Sequence, residues 1–286
     1  MSLLASFASR MQGTTHPLPT HASMAVCQRF GVDMGEFLPA IPQRFIEHGA
    51  IFLAGSLVEG FGNKTSDLDV MIVSELALDG IDHVVRKDHM LINMIFGKAR
   101  RIDLEYLHTG TISSPVAEIA ALDIPVDFVA ERIDERQELL IHRLLNAVPL
   151  FDTPAYRALL AAAQACDFRR YMVKRCMHKI DGAALDLEGM VDRGDPAEVL
   201  LRLFDIIDHS VDAIRFAHGF TNPLGKWRIR SLRSMPPSPE AENALSIYLR
   251  YRVLGLGLEE PDMEEVLTLV RQVLYWSDCA LRRVYA

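Results

Sequence analysis

The spacing of apolar positions changes character once along the chain. Between residues 50 and 110 they come in short runs or in strict alternation, the period of strands, and from Pro115 onward they recur at helical spacing. AIFLAGS (Ala50–Ser56) is a short apolar run ending in Gly-Ser, which predicts a buried strand feeding a turn. DLDVMIV (Asp67–Val73) alternates acidic and apolar residues and then turns continuously apolar, predicting a second strand that is polar at its mouth and buried further on. HMLINMIFGKA (His89–Ala99) predicts a strand and a turn, with a short helix as the alternative. RIDLEYLHTG (Arg101–Gly110) alternates again, with Ile102, Leu104 and Tyr106 on one face and Arg101, Asp103 and Glu105 on the other.

Upstream, residues 1 to 25 predict a loose tail, and Met24 to His48 a helical stretch that Pro39 and Pro42 interrupt. Downstream, helical periodicity runs through DERQELLIHRLLNAV, the long segment Tyr156–Val191, PAEVLLRLFDIIDHSVDAIRFAHG, SPEAENALSIYLRYRVLGL and MEEVLTLVRQVLYWSDCALRRVYA. Breaks fall at Pro149–Pro154, Gly194-Asp195-Pro196, Thr221-Asn222-Pro223 and Pro236–Pro239. The expected class is therefore α+β: a tail over 1–25, a small mixed-sheet domain over 26–115, and an all-helical bundle over 116–286.

Half of the 286 residues are apolar, enough for a substantial core. The net charge of −8 argues against nucleic acid as a constitutive partner, since such proteins carry basic faces that displace counterions. Four cysteines, Cys27, Cys166, Cys176 and Cys279, lie far apart without a CxxC pair and read as reduced core thiols. The ten histidines lack metal spacing. No stretch reaches the roughly 18 apolar residues of a membrane span, and the N-terminus lacks the basic and long apolar regions of a signal peptide, so a cytoplasmic location is expected.

Two kinds of chemistry compete for AGSLVEGFGNKTSDLDVMIV (Ala54–Val73). A phosphate loop needs a glycine immediately before Lys64-Thr65, and Asn63 stands there; the dinucleotide fingerprint fails because Gly60-x-Gly62 is followed by Thr65. The carboxylates fit better. Asp67 and Asp69, two apart on a strand, leave the same face, and Asp103 joins them if its strand is a neighbour. Three converging carboxylates suit two Mg²⁺ ions, one carrying a triphosphate and one lowering the pKa of an attacking hydroxyl. If a helix begins after Ser56, its N-terminus and the Ser56 hydroxyl would receive a β- or γ-phosphate, with Gly55 admitting the backbone closely.

The string Ala54-Gly55-Ser56, a gap, Ser66-Asp67-Leu68-Asp69-Val70, and then Ile102-Asp103-Leu104 on a later strand resembles the nucleotidyltransferase superfamily of the DNA polymerase beta fold, including its kanamycin and minimal nucleotidyltransferase types. HGFTNPLGKWRIRSLRSMP (His218–Pro236) is similar to a segment that follows a helix in the antibiotic-type members, here as Asn222-Pro223-x-x-Lys226-Trp227. The resemblance implies that Gly55 and Ser56 contact the phosphates of an NTP, that Asp67 and Asp69 bind Mg²⁺, and that Asp103, with Glu105 as fallback, is the third carboxylate and base. It implies that Lys226 reaches the triphosphate from the helical half, with Arg228 and Arg230 as weaker candidates. The expected reaction moves a nucleoside monophosphate onto a hydroxyl of a small antibiotic-like or natural-product acceptor, releasing pyrophosphate. A protein or tRNA end is the alternative acceptor, for which the basic residues Arg169, Arg170, Lys174 and Arg175 would matter. A catalytically inactive nucleotide-binding module is a further alternative, and a homodimer that completes the site stays open.

Overall fold

The computed structural model describes residues 17–253 and 262–285. Residues 1–16 of the expected tail lie outside them, as does the side chain of Cys279. From Pro19 the chain is already bound, for Pro19 bridges Phe151, and helix α1 (His21–Arg29) starts at an N-cap in which Thr20 accepts a hydrogen bond from Ser23 N–H. Two 3₁₀ turns, Met34–Glu36 and Leu38–Ala40, and the short α2 (Gln43–His48) follow, broken where Pro39 and Pro42 fall.

The strands are β1 (Ala50–Ala54), β2 (Leu68–Ser74), β3 (Val84–Lys87), β4 (Met90–Phe96), β5 (Arg101–His108) and β6 (Val148–Pro149), in the order β3-β4-β5-β2-β1-β6. Among the described residues only β2 and β5 run parallel and every other pairing is antiparallel, so the sheet is mixed. One face, carrying Ile51, Leu53, Leu68, Val70, Ile72, Ile102, Leu104 and Tyr106, packs onto Cys27, Phe37, Ile41, Phe45 and Ile46 of the N-terminal turns. The central strands β1 and β2 are buried at every position, as their continuous apolar runs required.

The chain forms two compact units. The first comprises residues 1–117 and 143–165, and the second residues 118–142 and 166–286. Residues 143–165 belong to the first unit because β6 pairs with β1 (Phe52 opposite Pro149), and because Tyr156 of α5 (Pro154–Ala165) sets its ring 5.8 Å from that of Phe52. Pro149, which looks like a simple break, is tolerated in β6 because an edge strand can spare one N–H.

The second unit is helical. α3 (Gly110–Ala120) and α4 (Glu135–Leu145) each run across the division between the units, and within the second unit α6 (Phe168–Arg193) and α7 (Pro196–Ala217) form the longest pair. Their joint is local chemistry: Gly194 ends α6 in the left-handed conformation at φ +76°, Asp195 caps α7 through Ala197 N–H, and Pro196 takes the first helical position. α8 (Arg228–Ser234), α9 (Pro239–Ile247), a π-helical turn at Tyr248–Val253 and α10 (Met263–Tyr285) complete it. The segment Tyr156–Val191 is two helices, since Cys166 and Asp167 separate α5 from α6. No helix among the described residues is long and apolar enough to cross a membrane.

Candidate functional site

The parallel register of β2 and β5 places Asp69 directly opposite Asp103, and Asp67 stands one residue before β2. Each of these three acids offers a carboxylate oxygen within 4.8 Å of the others. Asp69 and Asp103 are buried, and Asp67 is partly exposed. Such a set of hard oxygen donors suits Mg²⁺ or Mn²⁺.

Two arginines balance this charge. Arg101, on β5, donates from Nη2 to Asp103 Oδ2 at 3.0 Å and to Asp67, and its Nε lies 2.9 Å from Asp103 Oδ1, which accepts no hydrogen bond from the described residues. Arg143, on α4, donates to Glu105 Oε2 at 2.8 Å and lies 3.7 Å from Asp69 Oδ2. Glu105 is thus turned toward Arg143, while Asp103 faces the other two acids. Burial pushes the Asp69 carboxyl up to about 7; Arg143 opposes this, and Glu105, Asp67 and Asp103 add to it. Burial likewise raises Asp103, against the pull of Arg101.

Gly55 owes its identity to Asp69. Its φ is +81°, and a Cβ there would lie 1.8 Å from Asp69 Oδ2, so the carboxylate fills the place a side chain would take. No helix follows Ser56. Glu59 N–H donates to the Gly55 carbonyl, Phe61 and Gly62 N–H to that of Ser56, and Gly60 at φ +78° turns the chain away after a single turn. A helix dipole is therefore not available at this position, because a macrodipole needs aligned turns. Any phosphate contact rests on the Ser56 hydroxyl and local backbone.

The phosphate-loop look-alike is a turn that delivers Asp67. Asn63 Oδ1 accepts from Thr65 N–H at 2.9 Å and Thr65 Oγ1 at 2.8 Å, and Arg100 ties the Ser66 carbonyl at 2.7 Å and that of Phe30 at 3.2 Å.

In the second unit, Lys226 lies 5.1 Å from the Trp227 ring centroid, and Arg230 is over the same ring at 5.7 Å. Arg228 is drawn inward: it donates to Asp212 Oδ1 at 2.9 Å and Oδ2 at 2.7 Å and pairs with Asp208 at 2.8 Å, which commits its fork to protein carboxylates. The basic residues of α6 also separate. Arg175 pairs at 2.7 Å with Glu138, which is fully buried, and Lys174 donates to the Pro125 carbonyl, while Arg169 and Arg170 stay exposed. Arg101 was visible on the acidic face of its strand without an assigned task. Arg143 carried no signal, being one basic residue in an amphipathic helix.

No family model matches the chain, and no curated protein matches it. Among solved structures, a nucleotidyltransferase-like protein from Exiguobacterium sibiricum 255-15 is similar over 92% of this chain and 74% of its own, with 11% identity and a TM-score of 0.37. A likeness that low leaves the chemistry to be argued from the residues themselves.

Proposed function

We propose that this protein is a divalent-metal-dependent nucleotidyltransferase that moves a nucleoside monophosphate from an NTP to a hydroxyl of a small-molecule acceptor. The observation that carries this reading is the trio Asp67, Asp69 and Asp103, gathered within 4.8 Å from two parallel strands in register. The donor set fits hard divalent cations, and the fork of Arg101 across Asp67 and Asp103 marks the spot as one built to receive positive charge. Asp67, Asp69 and Asp103 would hold Mg²⁺, which when bound neutralises triphosphate charge and makes a hydroxyl more acidic.

In the transfer, the acceptor oxygen attacks the α-phosphorus and forms the new O–P bond. The bond from that phosphorus to the bridging oxygen breaks in line, and pyrophosphate leaves with the electron pair. The acceptor proton passes to a carboxylate oxygen of Asp103, which requires Arg101 to swing off it; the Arg101 side chain is 42% exposed and has the freedom to do so. Ser56 offers a hydroxyl to the leaving phosphates, and Gly55 keeps Asp69 in place. A macromolecular acceptor is disfavoured by the inward pairing of Arg175, which thins the basic cluster it would use.

The test incubates the protein with each of four α-labelled NTPs, Mg²⁺ and a pool of hydroxyl acceptors, beside a D67A/D69A variant. Label moving to a small molecule, and lost in the variant, supports the transferase; label on protein or RNA supports the alternative acceptors. If no NTP binds or turns over, the chain is an inactive module. Lys226→Ala in the same assay tests the expected contact with triphosphate through the KM for NTP.

A further inference from the structure

Strand β4 is apolar on both faces apart from Asn93, yet one face is open to solvent at its Met94 and Phe96 end. Its odd positions Leu91 and Ile95 pack on the core. Its even positions, Met90, Ile92, Met94 and Phe96, should then be polar, as on the wet side of an antiparallel sheet. They are all apolar, and Phe96 is 82% and Met94 40% exposed. On the edge strand, Val85 pairs with Ile92 and is 52% exposed.

The register says where this shelf lies. Met94 is opposite Asp103, Ile92 opposite Glu105 and Phe96 opposite Arg101, so the apolar positions share the face of the acids and begin one strand, about 5 Å, from Asp103. Across the sheet the site then reads in order: the Gly55-Ser56 turn after β1, Asp69 on β2, Asp103 on β5, and the shelf on β4 and β3. An in-line transfer needs the attacking oxygen and the leaving pyrophosphate on opposite sides of the α-phosphorus. With the phosphates toward the β1 end, the acceptor must approach from β4.

Resting on the proposed transferase reading, we propose that Phe96, Met94, Ile92 and Val85 form the acceptor platform, and that the acceptor is a hydroxyl compound with a flat apolar body rather than a polycationic amino sugar. The charge of the shelf agrees with this choice. The one ionisable side chain at these β3 and β4 positions is the cationic Lys87, paired with Met90, and the neighbouring acids Asp103 and Glu105 are already paired with Arg101 and Arg143. A body one or two rings wide spans the distance from Met94 to Val85, one strand spacing of about 4.8 Å with an offset of two residues, about 7 Å, along the strand.

The test uses 4-methylumbelliferone as a flat phenolic probe and neamine as a polycationic one, with wild type, Phe96→Ser, Met94→Ser and the exposed control Leu201→Ser of the second unit. Fluorescence titration reads probe binding, calorimetry reads Mn²⁺ and NTP, and gel filtration reads the oligomeric state. The expected result is at least tenfold weaker 4-methylumbelliferone binding in both shelf variants, unchanged in Leu201→Ser, with Mn²⁺ affinity intact throughout. Tighter binding of neamine, absent or unaltered 4-methylumbelliferone binding, a change in NTP affinity in place of probe affinity, or a dimer lost in the shelf variants would each overturn the platform. These outcomes are separable from failure of the transferase reading, which shows as no NTP turnover and no Mn²⁺ binding in wild type.

Discussion

Replacing Gly55 by alanine places two separate burdens on the site, and the structure supplies the control that separates them. At φ +81° an alanine costs about 1–2 kcal/mol for left-handed backbone. Gly60 carries nearly the same angle, φ +78°, with nothing near its missing Cβ, so Gly60→Ala bears the backbone cost alone. At Gly55 the new Cβ also lies 1.8 Å from Asp69 Oδ2. An ordinary C···O contact is about 3.3 Å, so the carboxylate must retreat by about 1.5 Å. It would do so among Arg143 at 3.7 Å and the other two acids. A displacement of about 1 Å at a catalytic group costs on the order of 100-fold in rate. The assay is Mn²⁺ calorimetry beside urea denaturation. Both variants should lose the backbone share of stability, Gly55→Ala more than Gly60→Ala, and Gly55→Ala alone should lose at least tenfold in Mn²⁺ affinity. Equal Mn²⁺ affinity in the two variants would refute the claim that this glycine exists to seat Asp69.

Arg101→Gln removes the guanidinium that occupies the space between Asp67 and Asp103; without metal the carboxylates repel, so stability in EDTA should fall, while Mn²⁺, no longer displacing a bound cation, should bind about tenfold (~1.4 kcal/mol) more tightly. Unchanged or weaker Mn²⁺ binding by calorimetry contradicts the displacement. Stability should also fall as pH rises above 7. Burial holds the Glu138 carboxyl at about 8, against Arg175 and Lys179, whereas its ordinary value is 4.5; between these values the unfolded chain has released a proton that the folded chain keeps. His209, pulled down to about 4 by burial, favours folding as pH rises only to its ordinary 6.5, and Asp69 at about 7 adds a smaller fall that fades above that value, so of these three Glu138 contributes most between 7 and 8. Urea midpoints at pH 7 and 8 should differ clearly in wild type and by much less in Glu138→Gln; a slope that the substitution leaves unchanged disproves the assignment.

The sheet and its acids were legible because a period of two leaves a mark that no partner is needed to read. Alternation through Asp67 to Val73 and Arg101 to His108 fixed both the strands and the face that carries the carboxylates, and the register then brought them together. What depended on distant partners was hidden. β3 is four residues of exposed edge with no alternation to show, and β6 is a proline-containing pair that becomes a strand only against β1. The turn after Ser56 resembles a helix start until Gly60 reverses it. Arg175 and Arg228 look like solvated or ligand-binding cations, because a sequence does not say which helix will set Glu138 or Asp208 and Asp212 beside them.

The pairing of β6 with β1 has a consequence for how the chain is made. The outer edge of β1 exposes its backbone groups until Val148 and Pro149 have been synthesised, so the sheet cannot close when its five longer strands have left the ribosome. Through the intervening stretch, residues of the helical unit emerge before the first unit is complete. A nascent chain arrested soon after Ala117 should therefore be protease-sensitive and prone to pair its open edge with another chain, and one long enough to have released Ala165 should be protected.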